Sequence, residues 1–437
     1  MVVVGALFAL AILMELPFVN GPSYWQWPWR TLPFGRALTF FAAPLVLYGY
    51  LISRWTRGGE ALAPNEARRI VGGLVLCCML AQIASLYVDE RTWTQIERIV
   101  KSRAITSYYT DARRIGELGE WLPKFATVRL EHHSATHPPG PVLYYYAWIQ
   151  LAGRVWAPLM GGATVGVLAS FGVAVSYLFA GLWTRSPSAR LGTCFLYALM
   201  PGLIVFFPEL DQVYPIGAML LIWFWVRSFE ERSLAIALGL TLFACSFFAY
   251  NFLTVGAAMV LFALATIRLE GWSRDLGRRI ATAAAIALAV ALACHVVLWL
   301  TTSFHAIDSL RDALATQDRF AAKLARPYWS CVFWDLYDFL LANGLLTLPL
   351  VTLLLLQRPE PRVRALTAAA LLAILVVDFT GLLRCEAARV WLFLQPLILV
   401  PAGLALARFA APERAFILAL QAVILIALRC KMAFIGG

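Results

Sequence analysis

Charge is what this sequence has least of. Asp, Glu, Lys and Arg make up 14% of its 437 residues, where a soluble globular chain carries about 25%. That shortage excludes a water-facing surface over most of the chain. Metal-type cysteine spacing is missing as well. The eight cysteines form no Cys-x-x-Cys pair, so nothing in their pattern points to a zinc site or a thiol-redox motif. Cys77, Cys78, Cys194, Cys245 and Cys294 lie inside apolar runs, where cysteine acts as a small hydrophobe. Only Cys331 and Cys385 fall in segments expected outside, and a disulfide between them stays open. No internal repeat is visible, which argues against an inverted-repeat transporter. The apolar N-terminus has no basic n-region and no clean cleavage site, and reads as a first span rather than a removed leader.

What is there is hydrocarbon. The chain is 61% hydrophobic with a mean hydropathy of +0.74, in runs of roughly 17–25 residues, the length that crosses ~30 Å of bilayer core. The expected class is an all-α polytopic membrane protein, one transmembrane domain over 1–437. Expected apolar segments are 2–19, 37–53, 70–88, 142–160, 163–183, 191–207, 213–229, 234–250, 252–267, 280–302, 336–356, 365–383, 390–407 and 415–428. The net charge of +11 fits topology better than nucleic acid. One set of short loops holds seventeen Lys and Arg and the opposite set four, which places the first set in the cytoplasm. Loops 88–141 and 303–335 then face outward. This sidedness demands an odd number of crossings between 141 and 184, so one of the two segments there, 142–160 with Arg154 inside, should dip or lie oblique. About 13 true spans remain. Tyr24, Trp25, Trp27 and Trp29 suit interfacial anchoring, with contact to a lipid substrate as the alternative.

The longest polar stretch, Asp89 to Pro141, holds three of the five histidines. Within it Thr106–Phe125 has apolar residues at three-to-four spacing, Tyr108, Ala112, Ile115, Leu118 and Leu122, which predicts an amphipathic helix on the membrane surface. Pro138-Pro139-Gly140-Pro141 forces an extended turn. The other unusual polar residues collect on the same expected outer side: Glu209, Asp211, Asn251, the 303–335 loop, and Arg384 with Arg389. Ionisable groups at membrane depth default to function. An arginine patch beside carboxylates suits a phosphate or pyrophosphate head; internal salt bridges and headgroup snorkelling are the plain alternative. His132, His133 and His137 with Glu131 suit either a divalent metal, loop hydrogen bonds or a phosphate contact. His295 and His305 read as structural.

The order of features resembles the type-C (GT-C) membrane glycosyltransferases, which include protein mannosyltransferases and aminoarabinose transferases of lipid A. Gly119-Glu120-Trp121-Leu122 resembles their Gly-Asp-Trp-Leu, and Tyr108 with Ala112 their Tyr and Ala. His137-Pro138-Pro139 followed by Leu143-Tyr144-Tyr145 resembles His-Pro-Pro-Leu-Tyr-Tyr. Pro208 with Tyr214 resembles a Pro…Arg…Tyr turn, and Arg389 with Pro396 a late Arg-Tyr…Pro segment. The resemblance implies a glycosyltransferase that takes a sugar from a polyprenyl-phosphate donor at the outer membrane face, with inversion, and passes it to a lipid, glycan or protein acceptor. It requires no cofactor but leaves room for a divalent metal. It places His137, His133, Arg384, Arg389, Tyr214, Glu209 and Asp211 toward the donor and its phosphate.

One departure matters. The family sets its catalytic acid about four residues before the Tyr, and here those positions are Ala104 and Ile105. Asp89-Glu90, at the membrane exit of the third span, and Asp111, three residues beyond Tyr108, are the substitutes, and the sequence does not separate them. The base must reach the acceptor hydroxyl. Asp89-Glu90 as a solvated helix end and Asp111 paired with Arg114 are the plain alternatives. The rival functions are a transporter or flippase of a lipid-linked solute and a non-catalytic membrane assembly factor. The Ala/Leu/Arg-rich composition points to a bacterial inner membrane with the site facing the periplasm.

Overall fold

The computed structural model describes residues 2–22, 27–59, 62–89, 94–324 and 326–435; Tyr24, Trp25 and Glu90 lie outside them. The described chain is helical, with a lone bridge between Trp29 and Met432 in place of a sheet. Among the described residues seven helices are long and apolar enough to cross a membrane: Phe34–Gly58, Pro64–Val88, Gly140–Ala180, Tyr250–Glu270, Arg274–Thr302, Pro361–Thr380 and Ala411–Lys431. An eighth forms if Tyr328–Ala342 and Thr347–Leu356, bent by 96° at their junction, count as one. The protein is therefore an all-helical integral membrane protein. The expected count of about 13 spans is not reached by length and apolarity. Hydropathy alone does not see where the backbone breaks. The run at 191–207 is divided into Pro187–Ala198 and Pro201–Val205, because Pro201 cannot donate into a continuing helix. The run at 390–407 begins as two short turns before Gln395–Leu406. The first run makes a helix of only twelve residues, Val2–Leu13.

Gly140–Ala180 is the most informative element. Forty-one residues of straight helix would run about 60 Å, twice the ~30 Å of hydrocarbon. Gly153 interrupts it with φ 72° and ψ 165°, a conformation open almost only to glycine. The two halves fold back on one another: Tyr144 Oη donates to Gly161 O at 2.7 Å, seventeen residues away. Straight helix would separate them by about 25 Å. The expectation that one of the two apolar segments here departs from a simple crossing thus meets a hairpin centred beside Arg154.

Elsewhere close packing of small residues holds the bundle. Gly192 of Pro187–Ala198 and Gly403 of Gln395–Leu406 sit so close that a Cβ on either would strike the other's backbone, the close approach that small residues permit between membrane helices. At the bend between Tyr328–Ala342 and Thr347–Leu356, Asn343 donates to Gln395 Oε1 at 3.0 Å, and Gln395 donates to Phe339 O at 2.8 Å. These side chains satisfy backbone that a break leaves without helical partners.

The polar segments gather together. The stretch after Pro64–Val88 carries four short helices, Thr94–Lys101, Tyr108–Ala112, Leu118–Trp121 and His132–Ala135. The amphipathic helix expected over Thr106–Phe125 is thus two short pieces with a turn at 113–117. Ser107 enters the first with φ 56°, and Gly116 interrupts the pattern. Ala306–Leu324 is a longer amphipathic helix, and it lays Phe320 against His132 with ring centroids 4.0 Å apart.

Candidate active site

Arg389 is the centre of the site. It sits in the short helix Ala387–Val390, where its guanidinium bonds Glu209 Oε2 at 3.0 Å through Nη1 and Glu386 Oε2 at 2.6 Å through Nη2. Glu209 precedes the turn Leu210–Val213, so an ion pair ties two segments 180 residues apart. Glu209 and Tyr214 are buried, and Glu209 Oε1, Tyr214 Oη and Arg389 Nε find no partner. Asp211, two residues on, is half-buried, and its carboxylate is met by its own backbone amide in the field of Arg389. One cation faces three carboxylates. Burial, with Asp211 and Glu386 close by, pushes Glu209 upward against the pull of Arg389. Burial likewise raises Asp211, again opposed by Arg389. Burial pulls Arg389 down, but Glu209, Glu386 and Asp211 more than offset it. A cluster so crowded with negative charge holds a proton readily and can take one up.

The histidines close over this cluster as neutral rings. Burial lowers His133 to about 3 and His137 to about 4, with the positive charge of Arg389 acting in the same direction on both. His133 Nε2 donates to Ala104 O at 2.9 Å, and His137 Nδ1 donates to His133 O at 2.8 Å, since a carbonyl only accepts. His137 Nε2 is left as the acceptor nitrogen. Tyr108 stands edge-on to the His137 ring at 5.5 Å. Its hydroxyl is raised by burial and by Asp211, and Tyr145 lies in the same neighbourhood. Among the described residues no group of three or more His, Cys, Asp or Glu converges as a metal would need; the ring nitrogens of His133 and His137 named above are spent on backbone.

The structure thus brings Glu209, Asp211, Tyr214, Arg389, His133 and His137 together. It holds the others apart. Asp111 is buried and consumed: Arg114 Nη1 reaches its Oδ1 at 2.8 Å, and the Glu131 amide donates to its Oδ2 at 3.0 Å. It ties the loop into shape beside the Ser107–Ser134 hydroxyl pair, 3.0 Å apart. Asp89 faces Arg30 at 3.7 Å in another cavity. Arg384 lies over the Tyr328 ring at 5.0 Å and donates to Gly381 O at 2.8 Å. Glu386 and Tyr145 join the site although sequence reasoning assigned them no role in it: Tyr145 stood only in the Leu143-Tyr144-Tyr145 match, and Glu386 only in the polar run 384–389 beside Arg389.

No protein-family model matches the chain, and no curated protein does. Among solved structures it is similar to the crystal structure of the Archaeoglobus fulgidus oligosaccharyltransferase in complex with Zn and sulfate, at 12% identity and a TM-score of 0.44. The similarity covers 82% of this chain and 53% of that one, so this chain spans about half the length of its match. Identity and superposition at this level do not transfer an activity from one chain to the other.

Proposed function

We propose that this membrane protein is a GT-C-type glycosyltransferase that moves a sugar from a polyprenyl-phosphate donor to a hydroxyl of a lipid, glycan or protein acceptor at the outer membrane face. The observation that carries this reading is the convergence of residues 104–137, 209–214 and 386–389 on one charged cluster around Arg389. The ordered resemblance of Gly119-Glu120-Trp121-Leu122, His137-Pro138-Pro139 and Leu143-Tyr144-Tyr145 to that family supports it.

In this reading Asp211 is the general base. It is half-buried and forms no ion pair among the described residues, whereas Asp111 is bound on both oxygens and acts as a positioning residue. Asp211 takes the proton of the acceptor hydroxyl as its oxygen attacks the anomeric carbon. The bond from that carbon to the phosphate oxygen breaks, and the lipid phosphate leaves with the electron pair. A single displacement inverts the anomeric centre. Arg389 holds the carboxylates in place, and His137 Nε2 and Tyr108 offer polar contacts to sugar hydroxyls.

The test is transfer by the purified protein with a panel of polyprenyl-phosphate sugars and a hydroxyl acceptor. Asp211→Asn is expected to cut the rate by about 10²–10⁴, the contribution of a positioned base, while leaving the melting temperature near wild type. Asp111→Asn is expected to lower stability more than the rate of folded enzyme. Full activity in Asp211→Asn would remove Asp211 from the chemistry.

A further inference from the structure

A polar cavity lined in part by Val205 and Phe207 lies outside the Arg389 cluster, and the transferase reading does not use it. It is small and partly open to solvent, and lies where the end of Pro64–Val88, helix Thr94–Lys101 and the end of Ala411–Lys431 meet. Arg30, Arg98 and Arg429 line it, together with Asp89, Gln95 and Ser85.

Its charge is the reverse of the Arg389 cluster. Among the described lining residues three guanidinium groups face one carboxylate, that of Asp89, which stands 3.7 Å from Arg30. The remaining contacts hold the arginines without neutralising them. Arg429 Nε donates to Ser85 O and Oγ, both at 2.8 Å. Arg30 Nη2 donates to the Arg429 carbonyl at 3.1 Å, and Arg98 Nε donates to Gln95 at 2.9 Å. Arg429 is only 7% exposed, yet its Nη1 is buried without a partner, as is Arg30 Nε. Buried, unpaired donors on a cation cost more than one hydrogen bond's worth of stability. Arg429 does sit in the last turn of its helix, where the carbonyl ends favour a cation. That effect steadies one arginine; it supplies no acceptor for Nη1 and does not explain three gathered together.

We propose that this cavity binds a phosphate group, with Arg30, Arg98 and Arg429 as its donors. A tetrahedral oxyanion accepts from several guanidinium forks at once and neutralises the excess positive charge. Phosphate is disfavoured at Arg389, whose guanidinium is already shared among carboxylates. The same chemistry is presented by a polyprenyl phosphate and by free inorganic phosphate. The inference stands without the transferase reading, because it rests on charge and unmet donors at a separate cavity.

The experiment uses the full chain in maltoside micelles, which contain no phosphate, with inorganic phosphate and polyprenyl phosphate as separate probes. Binding is followed by phosphorus NMR and by the shift in melting temperature. Arg98→Gln is the main variant, since Arg98 is part-exposed and bonded to Gln95 alone, so the fold should survive; Arg429→Gln is the second. The expected result is binding weakened about tenfold by Arg98→Gln, the loss of one charge-assisted hydrogen bond. Polyprenyl phosphate binding with inorganic phosphate inert assigns the lipid headgroup. Equal binding of both assigns the bare anion. Binding of neither probe, or binding that both variants leave unchanged, overturns the proposal. Phosphate bound by a protein that transfers no sugar would sink the transferase reading and leave this one standing.

Discussion

At the scale of single residues, His133 and His137 show how burial sets chemistry. Both would titrate near 6.5 in an unfolded chain, and both are lowered in the fold, to about 3 and about 4, by burial first and by Arg389 second. Between those values the unfolded chain binds protons that the folded one refuses, so stability must fall as pH falls. The contribution is complete above pH 6.5 and is lost progressively as the pH drops toward 4 and 3. Melting temperature measured across that window should decline, and His137→Gln should flatten part of the decline. An unchanged slope in His137→Gln would show that its ring protonates freely in the fold. Neutral rings also suit hydrogen bonding to sugar hydroxyls better than gripping a phosphate. The same scale separates the acids. Asp111 and Asp211 look alike in sequence, but Arg114 and the Glu131 amide occupy the first, while the second has its own backbone amide and the more distant Arg389.

At the scale of elements, the hairpin at Gly153 decides how the long apolar stretch 140–180 is used. Its first half carries Tyr144 and Tyr145, with Tyr145 near Glu209, and the turn lays Gly161 against Tyr144. A Cβ at 153 would touch nothing within 4 Å. The cost of Gly153→Ala is therefore conformational, about 1–3 kcal/mol for a backbone region that L-residues avoid. It should appear as a lower melting temperature. Gly256→Ala is the control: that glycine lies inside a helix with equally open surroundings, and alanine there should stabilise by about 0.4–1 kcal/mol. Equal effects of the two substitutions would remove the strained turn from the account. Ala306–Leu324 is the second element that matters, because it places Phe320 over His132 at the edge of the site.

At the scale of the whole molecule, the bundle sorts its charges into two polar clusters. Around Arg389 carboxylates outnumber the cation; around Arg30, Arg98 and Arg429 the cations outnumber the carboxylate. Sidedness has its own test. Single cysteines placed at 120, 310 and 384 in a background without native cysteine should label from outside intact cells, and one at 185 should not. Labelling of 310 from the opposite side to 120 would contradict the packing of Phe320 on His132.

Composition and run length by themselves determined the class: with so little charge and so many long apolar runs, no aqueous fold was open to this chain. Arginine-rich short loops indicated a sidedness, and the polar residues now found together were already visible as exceptions, Glu209, Asp211 and Arg389 among them. The tertiary structure decided the rest. Whether an apolar run spans, bends or folds back depends on single backbone positions such as Gly153 and Pro201, to which a hydropathy average is blind. Whether a carboxylate is available depends on which arginine lies beside it, and the partners are far apart in sequence: Glu209 with Arg389, Asp89 with Arg30, Ser85 with Arg429. Local sequence fixes what a segment prefers, but an ion pair in a membrane bundle is chosen by the packing that brings its two halves out of water together.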